Sequence, residues 1–164
     1  YGPWIKKMPR SSDVAVLAMI SPRQAQHLAD QITASGRDPE FVGGDALFVP
    51  DEFTQVGAYV TSFAPDLRDT PEGAQVIKLY KAIFGNFATF GGPAYAATEA
   101  VAKAALDTCQ NGRATRQGVA KAMPAIDMRD SVLGQRVAFT ANHELRDGRF
   151  HVYRIDPEGY TKIS

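Results

Sequence analysis

The chain has 164 residues, with 18 Lys and Arg against 18 Asp and Glu, 45% hydrophobic residues and one cysteine. This supports a globular fold of ordinary size and excludes disordered, collagenous and coiled-coil chains, whose compositions are far more biased. Zero formal net charge argues against a nucleic-acid binder, which must offset phosphate charge, and the longest apolar run, 14–20, is well short of the roughly 20 residues a bilayer helix needs.

Residues 1–10 carry Lys6, Lys7 and Arg10 but no apolar stretch of the signal-peptide kind. Lacking an initiator Met, the chain reads as a piece of a longer protein. Asp13-Val-Ala-Val-Leu-Ala-Met19 is a continuous apolar run, which predicts a strand buried on both faces of a parallel sheet. Ser21-Pro22-Arg23-Gln24 then reads as N-cap, first-turn proline and capping-box partner. Ala25, Leu28, Ala29 and Ile32 follow at helical spacing, and Gly36 is the stop. Glu40 to Gly43 is a second strand, so the first forty residues form a βαβ unit.

A third strand is expected at Ala58 to Phe63. Pro71 opens a helix whose Val76, Ile77, Tyr80, Ile83 and Phe84 share a face. Pro93 opens an alanine-rich helix ending near residues 111–112, and Thr115 caps a shorter one stopped by Pro124. Strands return at Val137 to Thr140 and Arg149 to Ile155, followed by an Asp156-Pro-Glu-Gly turn before Tyr160. The fold class is therefore α/β, with a mostly parallel sheet, flanking helices and a closing strand pair.

Motifs for catalysis are missing from the sequence. Neither Gly-x-Ser-x-Gly nor Gly-x-x-x-x-Gly-Lys occurs. The glycines of 85–92 follow a helix, whereas a phosphate cradle needs a strand-to-helix turn. His27, His143 and His151 have no neighbouring ligand at metal spacing, and Cys109 reads as a small buried apolar residue. No enzyme activity, metal or cofactor is expected.

Four pieces together resemble the periplasmic leucine/isoleucine/valine-binding protein family, the type I solute receptors of ABC transporters. They are the apolar strand and capped helix followed by Phe41-Val-Gly-Gly-Asp-Ala-Leu47; Gly57-Ala-Tyr-Val-Thr-Ser-Phe-Ala-Pro-Asp66; Gly92-Pro-Ala-Tyr-Ala-Ala-Thr-Glu99; and Val132-Leu-Gly-Gln-Arg-Val-Ala-Phe139 with Phe150-His-Val-Tyr-Arg154. The resemblance runs across nearly the whole chain and implies the C-terminal half of a two-lobed protein. It implies a second-lobe βαβ segment at 1–62, a mainly helical first-lobe segment at 63–137, and closing strands of the second lobe at 138–164. It departs from the family at Thr140-Ala-Asn-His143-Glu144, where His143 stands in place of a turn glycine. The implied function is capture of a small amino-acid-like ligand by hinge closure and delivery to a membrane permease; a ligand-sensing domain of a receptor or regulator is the alternative. The implied location is periplasmic or extracellular, with a lipoprotein tether.

Asp45 follows the second strand at the carboxyl end, where open α/β sheets bind ligands. Two glycines before it let the backbone approach closely, and the alternative role is a cap for the following loop. By resemblance Asp45 pairs with a ligand ammonium. Ser21 falls where the family uses a cleft aromatic, although N-capping already explains it. Met19 and Ile20 are rim candidates that equally suit strand core. Phe90, five residues before Tyr95, matches an aromatic touching the ligand's side chain, while Tyr95 packs in a helix interface. The apolar helix face of 76–84, with Ala97, Val101 and Ala104, is expected to pack on strands the chain lacks. The isolated piece should therefore dimerise or swap.

Overall fold

The computed structural model describes residues 1–18, 21–85, 87, 89–109 and 112–164. In chain order the elements are α1 (Gly2–Lys7), β1 (Val14–Leu17), α2 (Pro22–Ala34), β2 (Glu40–Gly43), β3 (Tyr59–Ser62), α3 (Pro71–Phe84), α4 (Gly91–Thr108), α5 (Arg116–Ala122), β4 (Asp127–Met128), β5 (Val137–Ala138), β6 (His151–Asp156) and β7 (Gly159–Lys162). Single 3-10 turns lie at Asp45–Leu47, Leu67–Asp69 and Met123–Ala125. The chain divides into two units, Tyr1–Phe63 with Phe150–Ser164, and Ala64–Arg149.

The first unit is a five-stranded sheet in the order β1-β2-β3-β6-β7. β1, β2 and β3 run parallel, and β6 and β7 close the sheet antiparallel. Period-two alternation puts Leu17, Phe41, Val60, Tyr153 and Ile155 on one face, all buried. α2 covers that face with Ala25, Ala29 and Ile32. Ser21 caps α2, Pro22 starts it, and Gly36 at φ 77° ends it. Phe48 completes the core, its ring 4.4 Å from Tyr153 and 5.2 Å from Tyr160.

The prediction of two-sided burial for β1 fails. Val14 is 50% and Val16 73% exposed, while Leu17 is buried. An apolar run specifies a strand but not what covers its second face, and β1 is an edge strand with one covered side.

The second unit is helical. Ala96, Ala100 and Ala104 form the buried stripe of α4 and pack with Leu67, Ile126, Met128, Val132, Leu133 and Val137. Methyl-sized side chains at i, i+4 and i+8 let neighbouring segments approach closely. Of the face expected to pack on strands outside this chain, Ala97 and Val101 are exposed, while Ala104 is buried in this unit's own core. On α3, Val76 and Ile77 pack against the core, whereas Tyr80, Ile83 and Phe84 are exposed. Tyr95, expected in a helix interface, is 49% exposed.

The return to the first unit also differs from expectation. β5, read with the closing strands from 138 onward, pairs instead with β4 through Asp127↔Ala138 and Met128↔Val137. The second unit therefore continues to Arg149. Two-residue strands carry no readable periodicity, so their partner was not legible.

Candidate functional site

Parallel strands point their carboxyl ends, and the loops that follow, to one edge of the sheet. There β1 leads to Ser21 and β2 leads to Asp45, and Leu17 pairs in register with Gly43. Ser21 and Asp45 therefore share this edge of the first unit.

The segment after β2 is held by three elements. Tyr160 on β7 donates its hydroxyl toward the carbonyls of Leu47 (3.1 Å) and Phe53 (2.6 Å). Gln26 on α2 accepts from the Thr54 N–H at 2.8 Å. Arg23 and Glu52 form an ion pair at 3.0 Å. Leu47 folds back beneath β2 and is fully buried. These ties fix the backbone carrying Asp45, as a binding group requires for preorganisation.

The two glycines before Asp45 have different roles. A Cβ at Gly43 would stand 2.6 Å from Leu47 Cδ1, so Gly43 makes room for Leu47 and not for a ligand. Gly44 is exposed and a Cβ there would meet nothing within 4 Å. Asp45 itself is half-buried at the start of the 3-10 turn. Its carboxylate has no hydrogen-bond or ion-pair partner among the described residues, so it does not cap the loop.

Ser21 is the N-cap of α2; its hydroxyl oxygen accepts from the Gln24 N–H at a long 3.5 Å. Phe90 belongs to the second unit, where it precedes α4 and is 44% exposed. Met19 and Ile20 lie outside the described residues. A cavity of about 280 Å³ opens at the opposite edge of the first unit, where β2 and β3 begin, between Asp38, Glu40, Gln55, Val56, Tyr59 and Arg154. The sequence did not single it out, because its residues share no spacing beyond strand alternation.

Cys109, expected to be buried, is exposed at the end of α4. Its register falls outside the Ala96–Ala100–Ala104 stripe. His151 is buried on β6, and His27 is within 2.8 Å of Gln31 Nε2. Among the described residues no three His, Cys, Asp or Glu side chains are grouped to hold a metal, and no helix is long and apolar enough to cross a membrane.

Neither protein-family models nor curated proteins give a match. Solved structures do. The leucine binding protein LivK from Thermotoga maritima superposes at TM-score 0.73 with 13% identity, over 93% of this chain and 44% of that one. The branched-chain amino acid transporter substrate binding protein LivJ from Streptococcus pneumoniae, solved with isoleucine, gives TM-score 0.72 and 21% identity, over 99% and 49%. An extracellular ligand-binding receptor from Rhodopseudomonas palustris gives 0.69 and 16%, over 93% and 48%. The chain therefore has the α/β fold of type I periplasmic binding proteins and spans about half the length of these solved structures. All three are named as binding proteins or receptors.

Proposed function

We propose that this chain is the C-terminal part of an ABC-transporter solute-binding protein that takes an amino-acid-like ligand by hinge closure and presents it to a membrane permease. The observation that carries this reading is Asp45: a half-buried carboxylate with no partner among the described residues, at the carboxyl edge of a parallel sheet, beside the bare backbone of Gly44. A carboxylate so placed suits an ammonium group, since charge-assisted hydrogen bonds are about twice as strong as neutral ones. The shared fold with LivJ and LivK supports the same class of ligand.

In this reading the first unit completes one lobe and the second unit contributes to the other. Ser21 offers a hydroxyl at the same edge of the sheet as Asp45, and Phe90 of the second unit is a proposed contact for the ligand's side chain. The protein acts outside the cytoplasmic membrane, tethered as a lipoprotein. Closure follows from ligand contacts made better in the closed state than in the open one.

Thermal unfolding with L-leucine and with 4-methylpentanoate, which lacks the ammonium, tests the reading. Leucine at about 100 times its Kd should stabilise the protein by about 2.7 kcal/mol. Asp45→Ala should weaken leucine binding by roughly tenfold to a hundredfold, the worth of a hydrogen bond to a charged group. If the amine-free acid stabilises equally and Asp45→Ala responds as before, the amino-acid reading is wrong.

A further inference from the structure

β7 reaches back to the segment that carries Asp45. In the sheet order β3 and β6 stand between β2 and β7, so Tyr160 meets from two strands away the chain that leaves β2. It does so in three places. Its ring lies 5.2 Å from that of Phe48, and its hydroxyl is 3.1 Å from the Leu47 carbonyl and 2.6 Å from the Phe53 carbonyl. A phenol has one proton to donate, so both carbonyls draw on a single donor. Leu47 and Phe53 are 0% exposed, which leaves their carbonyls no direct access to water as a substitute. A donor lost there is replaced only if the segment moves. From Phe48 the path to Asp45 is one bond long: the Phe48 N–H donates to the Asp45 carbonyl at 3.0 Å.

We propose that Tyr160 is a positioning residue for solute capture, its hydroxyl closing residues 45–53 into a fixed arch that sets where the Asp45 carboxylate stands. This role rests on the solute-binding reading, in which Asp45 meets a ligand ammonium. Tyr160 acts through the backbone and is assigned no contact with the solute. A charge-assisted hydrogen bond has its full strength only in good geometry. When the arch is loose, binding must also order it, and affinity falls although Asp45 is still present.

A double-mutant cycle on L-leucine affinity tests this, with titration calorimetry on the parent, Tyr160→Phe, Asp45→Ala and the double variant. Tyr160→Phe keeps the ring against Phe48 and removes one oxygen from a half-buried side chain, so the fold is retained. It should raise the Kd for leucine about fivefold, the ordinary worth of one hydrogen bond. In the Asp45→Ala background the same change should raise it by less than about twofold, because the group being positioned is gone. Amide exchange without solute gives a second readout. The Phe48 amide should exchange faster in Tyr160→Phe, while the amide of Val60 on the central strand β3 keeps its protection.

Unchanged leucine affinity in Tyr160→Phe, with Asp45→Ala still weakening binding, overturns the role of Tyr160 and leaves the solute-binding reading intact. An equal loss in both backgrounds overturns it too, since a general loosening of the first unit would act without Asp45. So does an unchanged exchange rate at Phe48. If Asp45→Ala itself binds leucine as the parent does, the solute-binding reading fails and the Tyr160 role falls with it.

Discussion

His143 and Asp147 are the described non-glycine residues with positive φ, at 65° and 59°. The His143 turn is nevertheless fully bonded: its N–H donates to the Thr140 carbonyl at 3.0 Å, and the Thr140 N–H donates to the Glu144 carbonyl at 2.8 Å. Left-handed backbone costs a side-chain-bearing residue roughly 1–2 kcal/mol, of which a glycine recovers part against its larger unfolded-state entropy. His143→Gly should therefore stabilise the protein by up to about 1 kcal/mol in urea unfolding. Gly73 predicts the opposite sign. It is buried on α3, and a Cβ there would press on the Leu67 carbonyl and the Thr70 hydroxyl, with Leu67 Cγ at 2.6 Å. Gly73→Ala should destabilise by about 1–3 kcal/mol, the usual cost of overpacking. The family resemblance marked His143 as standing where a turn glycine is usual, and its positive φ agrees with that position. The sequence could not show that Gly43 accommodates Leu47, because that contact depends on how the following segment folds back.

Caps and short ladders fix the elements. Thr70 starts α3: its hydroxyl oxygen accepts from the Gly73 N–H at 3.1 Å and lies 3.0 and 3.1 Å from the carbonyls of Leu67 and Val132. Thr70→Val deletes both roles in a buried place, and a loss of about 1–2 kcal/mol in chemical denaturation is expected. The β4–β5 ladder is clipped by Arg136, whose Nε and Nη2 donate to Asp127 at 2.7 and 2.8 Å. This hydrogen bond, foremost, holds the Asp127 carboxyl below its ordinary value of 3.8, helped by the charges of Arg136, Arg129 and Arg146. A carboxyl with a lowered folded-state pKa stabilises the fold above its unfolded pKa, and that contribution is lost as pH falls through the lowered value. The Tm difference between the parent and Asp127→Asn should be constant at neutral pH and shrink below about pH 4. Caps such as Ser21 and Thr115 were legible because each uses one residue type at one offset, whereas the Thr70 cap was not read ahead of Pro71. β4 and α1, six residues or fewer, were not, since so short a stretch shows no period.

At the scale of the whole molecule, α3 and α4 each carry exposed apolar side chains. Leu79, Ile83 and Phe84 are 58%, 73% and 67% exposed, and Leu106 is 76% exposed. Ile83→Lys should lower binding of the dye ANS while changing stability by no more than about 0.5 kcal/mol, as expected where no contact is lost. The order of strands and helices was readable from hydrophobic period and punctuation. The sheet order and the return to the first unit at Phe150 were not, because they depend on pairing between β3 and β6, far apart in sequence.

Gly44 offers a practical opening. Its φ of −81° and ψ of −177° suit any amino acid, and the space around it is empty. With Cys109 replaced by serine to leave a single thiol, Gly44→Cys would accept an environment-sensitive fluorophore one residue from Asp45. The chain would then report solute occupancy as an optical signal, without any enzyme turnover to follow.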